Sequence, residues 1–150
     1  SPLINSKTMS KIKVLLVEDS AVAINIYEKM LNSSRHIEVV GKASNGKEGL
    51  DLTFKLQPDV ICTDLQMPEM DGLEFTKQIM AHYPTPILVL SNTVQKSDTE
   101  TIYQVMKAGV VDVMPKPQTA LGGNSDVMQN ELITKIRVLA TKKVSPIPLN

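Results

Sequence analysis

Residues 58–72 read PDVICTDLQMPEMDG. Val60, Ile61 and Cys62 form an apolar run that stops abruptly at Asp64. The turn-forming MPEMDG follows, and an amphipathic segment begins at Leu73. A carboxylate at the end of a buried strand is destabilising unless its charge is used there. In an open α/β sheet the carboxyl ends of the strands are where ligands bind. Asp64 is therefore the first candidate for a reactive residue, and its neighbours in sequence test it.

Working outward, the same strand-turn-helix unit recurs on both sides. Residues 11–17 (KIKVLLV) are a short apolar run followed by Glu18, Asp19 and Ser20. Such non-alternating runs suit strands covered on both faces of a parallel sheet. Ser20 is placed to cap a helix carrying Ala23, Ile24, Tyr27, Met30 and Leu31 at helical spacing. Residues 37–41 (IEVVG) predict a second strand. Asn45 with Glu48 caps the next helix, which carries Leu50, Leu52, Phe54 and Leu56 and is closed by Pro58. The third strand is predicted over 59–63. Asp71 with Glu74 caps a helix to about residue 83, with Phe75, Ile79 and Met80 inward. Residues 87–90 (ILVL) predict the fourth strand, ending at Ser91. Ser97 with Glu100 reads as a capping box for a helix with Ile102, Val105 and Met106 inward, stopped by Gly109. The fifth strand is predicted over 110–114, ending at Pro115-Lys116-Pro117. After a Gly-Gly loop, Ser125 caps a last helix using Met128, Leu132, Ile136 and Leu139. Five strands alternating with five helices imply an α/β, doubly wound five-stranded parallel sheet with right-handed crossovers.

Composition agrees and narrows the function classes. The 150 residues are 42% apolar with a formal net charge of zero, which gives no electrostatic reason to bind nucleic acid directly or an anionic membrane. No apolar run approaches the roughly 20 residues of a membrane span. The single Cys62 lies in an apolar run and reads as a buried core residue, with a reducing cytoplasm the expected compartment. Residues 1–10 carry no period and read as a tail or expression scar, leaving 11–141 as the folded domain. Residues 142–150 end in the Pro-rich VSPIPLN, which reads as the start of an interdomain linker or a frayed tail. His36 and His82 are isolated and read as solvated.

Four strand ends thus carry chemistry: Glu18 and Asp19 after the first, Asp64 after the third, Ser91 after the fourth and Lys116 after the fifth. Taken singly, each acid is a helix cap or loop charge, the lysine a surface group and the serine a turn residue. Taken together at one edge, three acids need a counter-charge, and a hard divalent cation such as Mg²⁺ fits the inventory. Lys116 adds a point charge suited to a phosphoryl oxygen and Ser91 a hydroxyl. The set suits a phosphoryl group placed on or beside a carboxylate.

KVLLVEDS, PDVICTDLQMPEMDG, ILVLSNT and VDVMPKP resemble the successive motifs of the response-regulator receiver domain, over about residues 11–140. The resemblance implies a flavodoxin-like receiver fold in a two-component system, with Asp64 the phospho-acceptor from a histidine kinase. It also implies that Glu18, Asp19 and Asp64 serve Mg²⁺ together with the backbone carbonyl of Gln66. Ser91 is then the switch hydroxyl and Lys116 the partner of the phosphoryl group, aimed by a cis Lys116–Pro117 bond. The implied output face is the fourth helix, fifth strand and fifth helix. One departure stands out: family members usually carry an aromatic where this chain has Val113.

The stretch from Thr85 onward, with its SNTVQKSDTET lead and a Gly/Ser-rich loop after PKP, is most similar to the receiver of the chemotaxis protein-glutamate methylesterase family. The implied partner is then a methylesterase output domain of the same protein, outside this chain. The fragment itself is a phospho-acceptor, and any enzyme activity belongs to the parent protein. Two alternatives stay open: the receiver of a DNA-binding transcription regulator, and a stand-alone receiver acting as an interaction module. A flavin binder on the same fold would need a Gly-rich loop after the first strand, where VEDSA has none.

Overall fold

The structure is a computed structural model describing residues 10–92, 96–117 and 125–149, with only the backbone described for residues 96–98 and 125. The elements are β1 Ile12–Val17, α1 Ala21–Asn32, β2 Ile37–Ala43, α2 Gly46–Leu56, β3 Val60–Asp64, α3 Gly72–His82, β4 Ile87–Ser91, α4 Lys96–Lys107, β5 Val111–Pro115 and α5 Ser125–Leu139. All strand pairs are parallel, in the order β2-β1-β3-β4-β5. The alternation read from the sequence is therefore the observed architecture.

Side-chain alternation along the strands divides the core. Val14 and Leu16 face the layer of α1 and α5, with Tyr27, Leu31, Leu132 and Ile136. Leu15 and Val17 face the other layer, with Phe75, Ile79, Met80 and Val105 from α3 and α4. β3 is buried at every position, because it is central in the sheet and covered on both faces. Cys62 is 2% exposed, and burial pushes its thiol pKa up to about 12.

Three helix starts form as the sequence predicts. Ser20 Oγ accepts the Ala23 N–H at 3.2 Å, Asn45 Oδ1 the Glu48 N–H at 2.9 Å, and Asp71 Oδ1 the Glu74 N–H at 2.9 Å. Glu48 reaches back to the N–H of Ser44 rather than that of Asn45, so its box closes one residue early. α4 begins at Lys96 and α5 at Ser125 itself, so Ser97 and Ser125 lie within the first turns rather than before them, which corrects their reading as caps; the Gly-Gly loop lies outside the described residues.

The end of α2 is as read: its last residue is Leu56 and its C-cap is a left-handed Gln57 (φ 49°) directly before Pro58, which disfavours a helical residue in front of it. Other expectations need correction. Met106 is 48% exposed rather than inward, and Val105 alone of that pair is buried, since a helix packed on one face cannot bury adjacent positions equally. Phe54 is 59% exposed, its ring set against Tyr83 at 5.5 Å between centroids. No cis peptide occurs among the described residues, so Lys116–Pro117 is trans, the form an X–Pro bond prefers unless packing overrides it. Residues 144–149 do not fray: Ile147 N–H donates to Met80 C=O at 2.9 Å, and Val144 packs against the α3–α4 layer. His36 and His82 are exposed, as read.

Candidate functional site

Parallel strands bring their carboxyl ends to one edge, and the register shows how closely. Val17 pairs with Thr63, Asp64 with Leu90, and Ser91 with Pro115. Asp64 thus closes β3 one residue beyond the end of the β1 pairing, which leaves room above β1 for Glu18 and Asp19. One carboxylate oxygen from each of Glu18, Asp19 and Asp64 lies within 4.8 Å of the others. Glu18 is 3% exposed and Asp64 7% exposed, whereas Asp19 faces solvent.

Each buried carboxylate is held by specific donors. Asp64 Oδ1 accepts the N–H of Leu65 at 2.7 Å. Lys116 Nζ lies 3.1 Å from Asp64 Oδ2 and 3.2 Å from Glu18 Oε1, bridging the two acids. Glu18 Oε2 accepts the Ser20 N–H at 3.0 Å, and the buried Tyr27 hydroxyl lies 3.5 Å from Glu18 Oε1. Burial, together with the nearby Asp64 charge, outweighs the Ser20 and Lys116 contacts and raises the Glu18 pKa above its usual range. For Lys116, burial pulls the pKa down, but attraction to Asp64 and Glu18 is stronger and the net shift is upward. Tyr27 is also shifted upward, chiefly by burial and then by the Glu18 charge.

The loop after Asp64 is fixed by backbone contacts. Gly72 N–H donates to Leu65 C=O at 2.7 Å, and a Cβ on Gly72 would come within 2.9 Å of both the Asp64 carbonyl oxygen and the Leu65 Cα. Only glycine lets α3 start this close to the strand it follows. Glu69 takes a left-handed conformation (φ 69°) within that turn. Lys116 is tied to β4 as well, because its N–H donates to the Ser91 carbonyl at 3.2 Å.

The structure therefore brings Glu18, Asp64 and Lys116 into direct contact, sets an Asp19 carboxylate oxygen within 4.8 Å of the other two acids, and puts Ser91, 9% exposed, beside them on the neighbouring strand. Gln66 is exposed in the loop two residues beyond Asp64. Val113 is half-buried against the α3–α4 layer. Tyr27 is the contact that strand-end reasoning missed. It reads as an ordinary core position of α1, and only its hydroxyl, which a buried tyrosine must partner, pointed to the site.

The sequence profile of the response regulator receiver domain matches residues 14–121. The chain belongs to the response-regulator receiver family. Within it, the chain is 37% identical over 134 residues to a protein-glutamate methylesterase/protein-glutamine glutaminase of Sulfurimonas denitrificans, covering 89% of this chain and 38% of that protein. A protein of the same description from Methanococcus maripaludis is 42% identical over 136 residues, covering 91% of this chain and 37% of its own length. The chain thus spans under two-fifths of these relatives. Among solved structures, the response regulator domain of Thermotoga maritima CheB superposes with a TM-score of 0.77 at 32% identity, covering 89% of this chain and 98% of that one. As a receiver, the chain falls on the methylesterase side of the family by these relatives.

Proposed function

We propose that Asp64 accepts a phosphoryl group from a phosphohistidine of a sensor kinase. The observation that carries this reading is the Lys116 bridge, which sets an ammonium against Asp64 Oδ2 inside a cluster of two further acids. Oδ1 is held by a backbone N–H, so Oδ2, whose partner is a side chain able to swing, is the attacking oxygen. An Oδ2–P bond forms as the donor's N–P bond breaks, and the electron pair stays on the donor imidazole. The Lys116 ammonium then pairs with a phosphoryl oxygen, and Ser91 offers its hydroxyl from β4.

The residues fit a hard divalent cation. Three carboxylates face one ammonium, a formal excess of two negative charges in a site supplying only oxygen ligands. Glu18, Asp19 and Asp64 would hold Mg²⁺, with the carbonyl of Gln66 joining them. A cation bound there offsets charge on the transferred group. Residues 11–141 form the receiver unit, and 142–150 begin the connection to an output domain, which the relatives suggest is a methylesterase. Its control surface is the face of α4, β5 and α5. Among the described residues no helix is long and apolar enough to cross a membrane, and the reducing cytoplasm is the compartment we assign.

The test is labelling with a small acyl-phosphate donor and Mg²⁺, read by intact mass. Wild type gains one phosphoryl group and Asp64→Asn gains none. Labelling that persists in the variant moves the acceptor elsewhere.

A further inference from the structure

The last described segment is seated for a reason visible in the chain. Met80 lies in the last turn of α3, where its carbonyl would ordinarily accept the N–H of the residue four positions on. That residue is Pro84, which has no N–H. The orphaned carbonyl instead takes the N–H of Ile147 at 2.9 Å. Within Pro146-Ile147-Pro148, Ile147 carries the only backbone donor, and the flanking prolines restrict the chain to extended forms before it docks. Little ordering entropy is then lost on seating.

Met80 is also locked from its other side. A Cβ on Gly109, at the turn between α4 and β5, would meet the Met80 side chain, which would have to shift to make room for it. Met80 joins three parts: the end of α3, the α4–β5 turn and the segment itself. The chain reaches this point by passing from the layer covered by α5 to that of α3 and α4, where Val144 packs. Ile147, Pro148 and Leu149 then line a groove whose other walls are Lys77 and Gln78 of α3 and Gln104 and Lys107 of α4.

Resting on the phosphoryl-site reading, we propose that residues 144–149 are a latch seated on Met80 while Asp64 is unmodified, and that phosphorylation of Asp64 loosens it. The path of the chain beyond the domain would then depend on the state of the site. The coupling would run through α4. Lys116 exchanges Glu18 for the phosphoryl group, its N–H is bonded to the Ser91 carbonyl at the end of β4, and α4 is the next element of the chain, its last turn with Gln104 and Lys107 forming one wall of the groove. Among the described residues the latch is held lightly, by the Ile147–Met80 backbone hydrogen bond and by Ile147 and Leu149 that stay 42% and 46% exposed. Contacts of that strength sit at the low end of local stability, where a modest shift of one wall changes the seated population.

The experiment is amide exchange of Ile147, followed by NMR in the 150-residue chain with Mg²⁺, before and after adding beryllium fluoride as a phosphoryl mimic. The expected result is Ile147 exchange at least about tenfold slower than an unstructured chain without the mimic, and several-fold faster with it. Asp64→Asn should show the slow rate in both conditions. Ile147 exchanging at the unstructured rate from the start overturns the latch. Mimic binding seen at the Lys116 amide with Ile147 unchanged overturns the coupling while leaving the phosphoryl site intact. No response at Lys116 overturns the phosphoryl-site reading and the coupling together.

Discussion

Asp64 and Glu18 are two nearly buried acids sharing one ammonium, and that shared charge sets what single substitutions do. Lys116 is the counter-charge drawn against the acid cluster, so Lys116→Ala removes a positive charge a few ångströms from the acids proposed to hold the cation. Mg²⁺ affinity is expected to rise on the order of tenfold, checked by calorimetric titration. Glu18 behaves in the opposite sense from a paired surface acid. Its folded pKa is raised above the ordinary glutamate value of 4.5, so the folded state binds more protons than the unfolded chain between that value and the raised one. Stability contributed by this group is lost as pH rises through that window. Glu18→Gln should therefore raise the melting temperature of the metal-free protein by a few degrees at pH 7, with the gain fading below about pH 4.5. A gain independent of pH would mean that packing rather than ionisation explains it.

At the scale of elements, the site depends on where α3 starts. Gly72→Ala would drive a Cβ into the backbone of Asp64 and Leu65, which cannot yield as a side chain tip can. A loss of about 1–3 kcal/mol is expected in urea unfolding, with weaker phosphoryl labelling because the Asp64 turn moves too. The elements themselves were legible because their signals are local. Apolar runs marked the strands, and Ser20, Asn45 and Asp71 marked helix starts with side chains that do bond there. Strand ends shifted by a residue or two, since pairing with a neighbour decides where a ladder stops: Asp64 and Ser91 belong to their strands. What stayed hidden was non-local. The trans Lys116–Pro117 bond, the exposed Met106 and the seating of Ile147 on Met80 all depend on residues far away in sequence. The four charged site residues were legible because strand ends in a parallel sheet share an edge; the hydroxyl of Tyr27 was not, since α1 periodicity shows only its buried ring.

For the whole molecule, the order β2-β1-β3-β4-β5 places β1 and β3, which carry the acids, inside the sheet and β5, which leads to Lys116, at its border. The acids thus sit on the part of the fold with most support and the lysine on the part with least. Cation binding to the folded state alone should stabilise the entire domain. At a hundredfold excess over the dissociation constant, Mg²⁺ is expected to add about 2.7 kcal/mol, seen as a rise in melting temperature that chelator reverses. Asp19→Asn should remove most of that rise while leaving the metal-free melting point nearly unchanged, because Asp19 is exposed. A full rise in that variant would exclude Asp19 as a ligand. The buried Cys62 has a practical consequence. With its thiol enclosed by the core and its pKa near 12, it is silent toward alkylating reagents at neutral pH. A probe attached through Val22→Cys on α1 or Tyr103→Cys on α4, both well exposed, would therefore report from one known place without first removing the native cysteine.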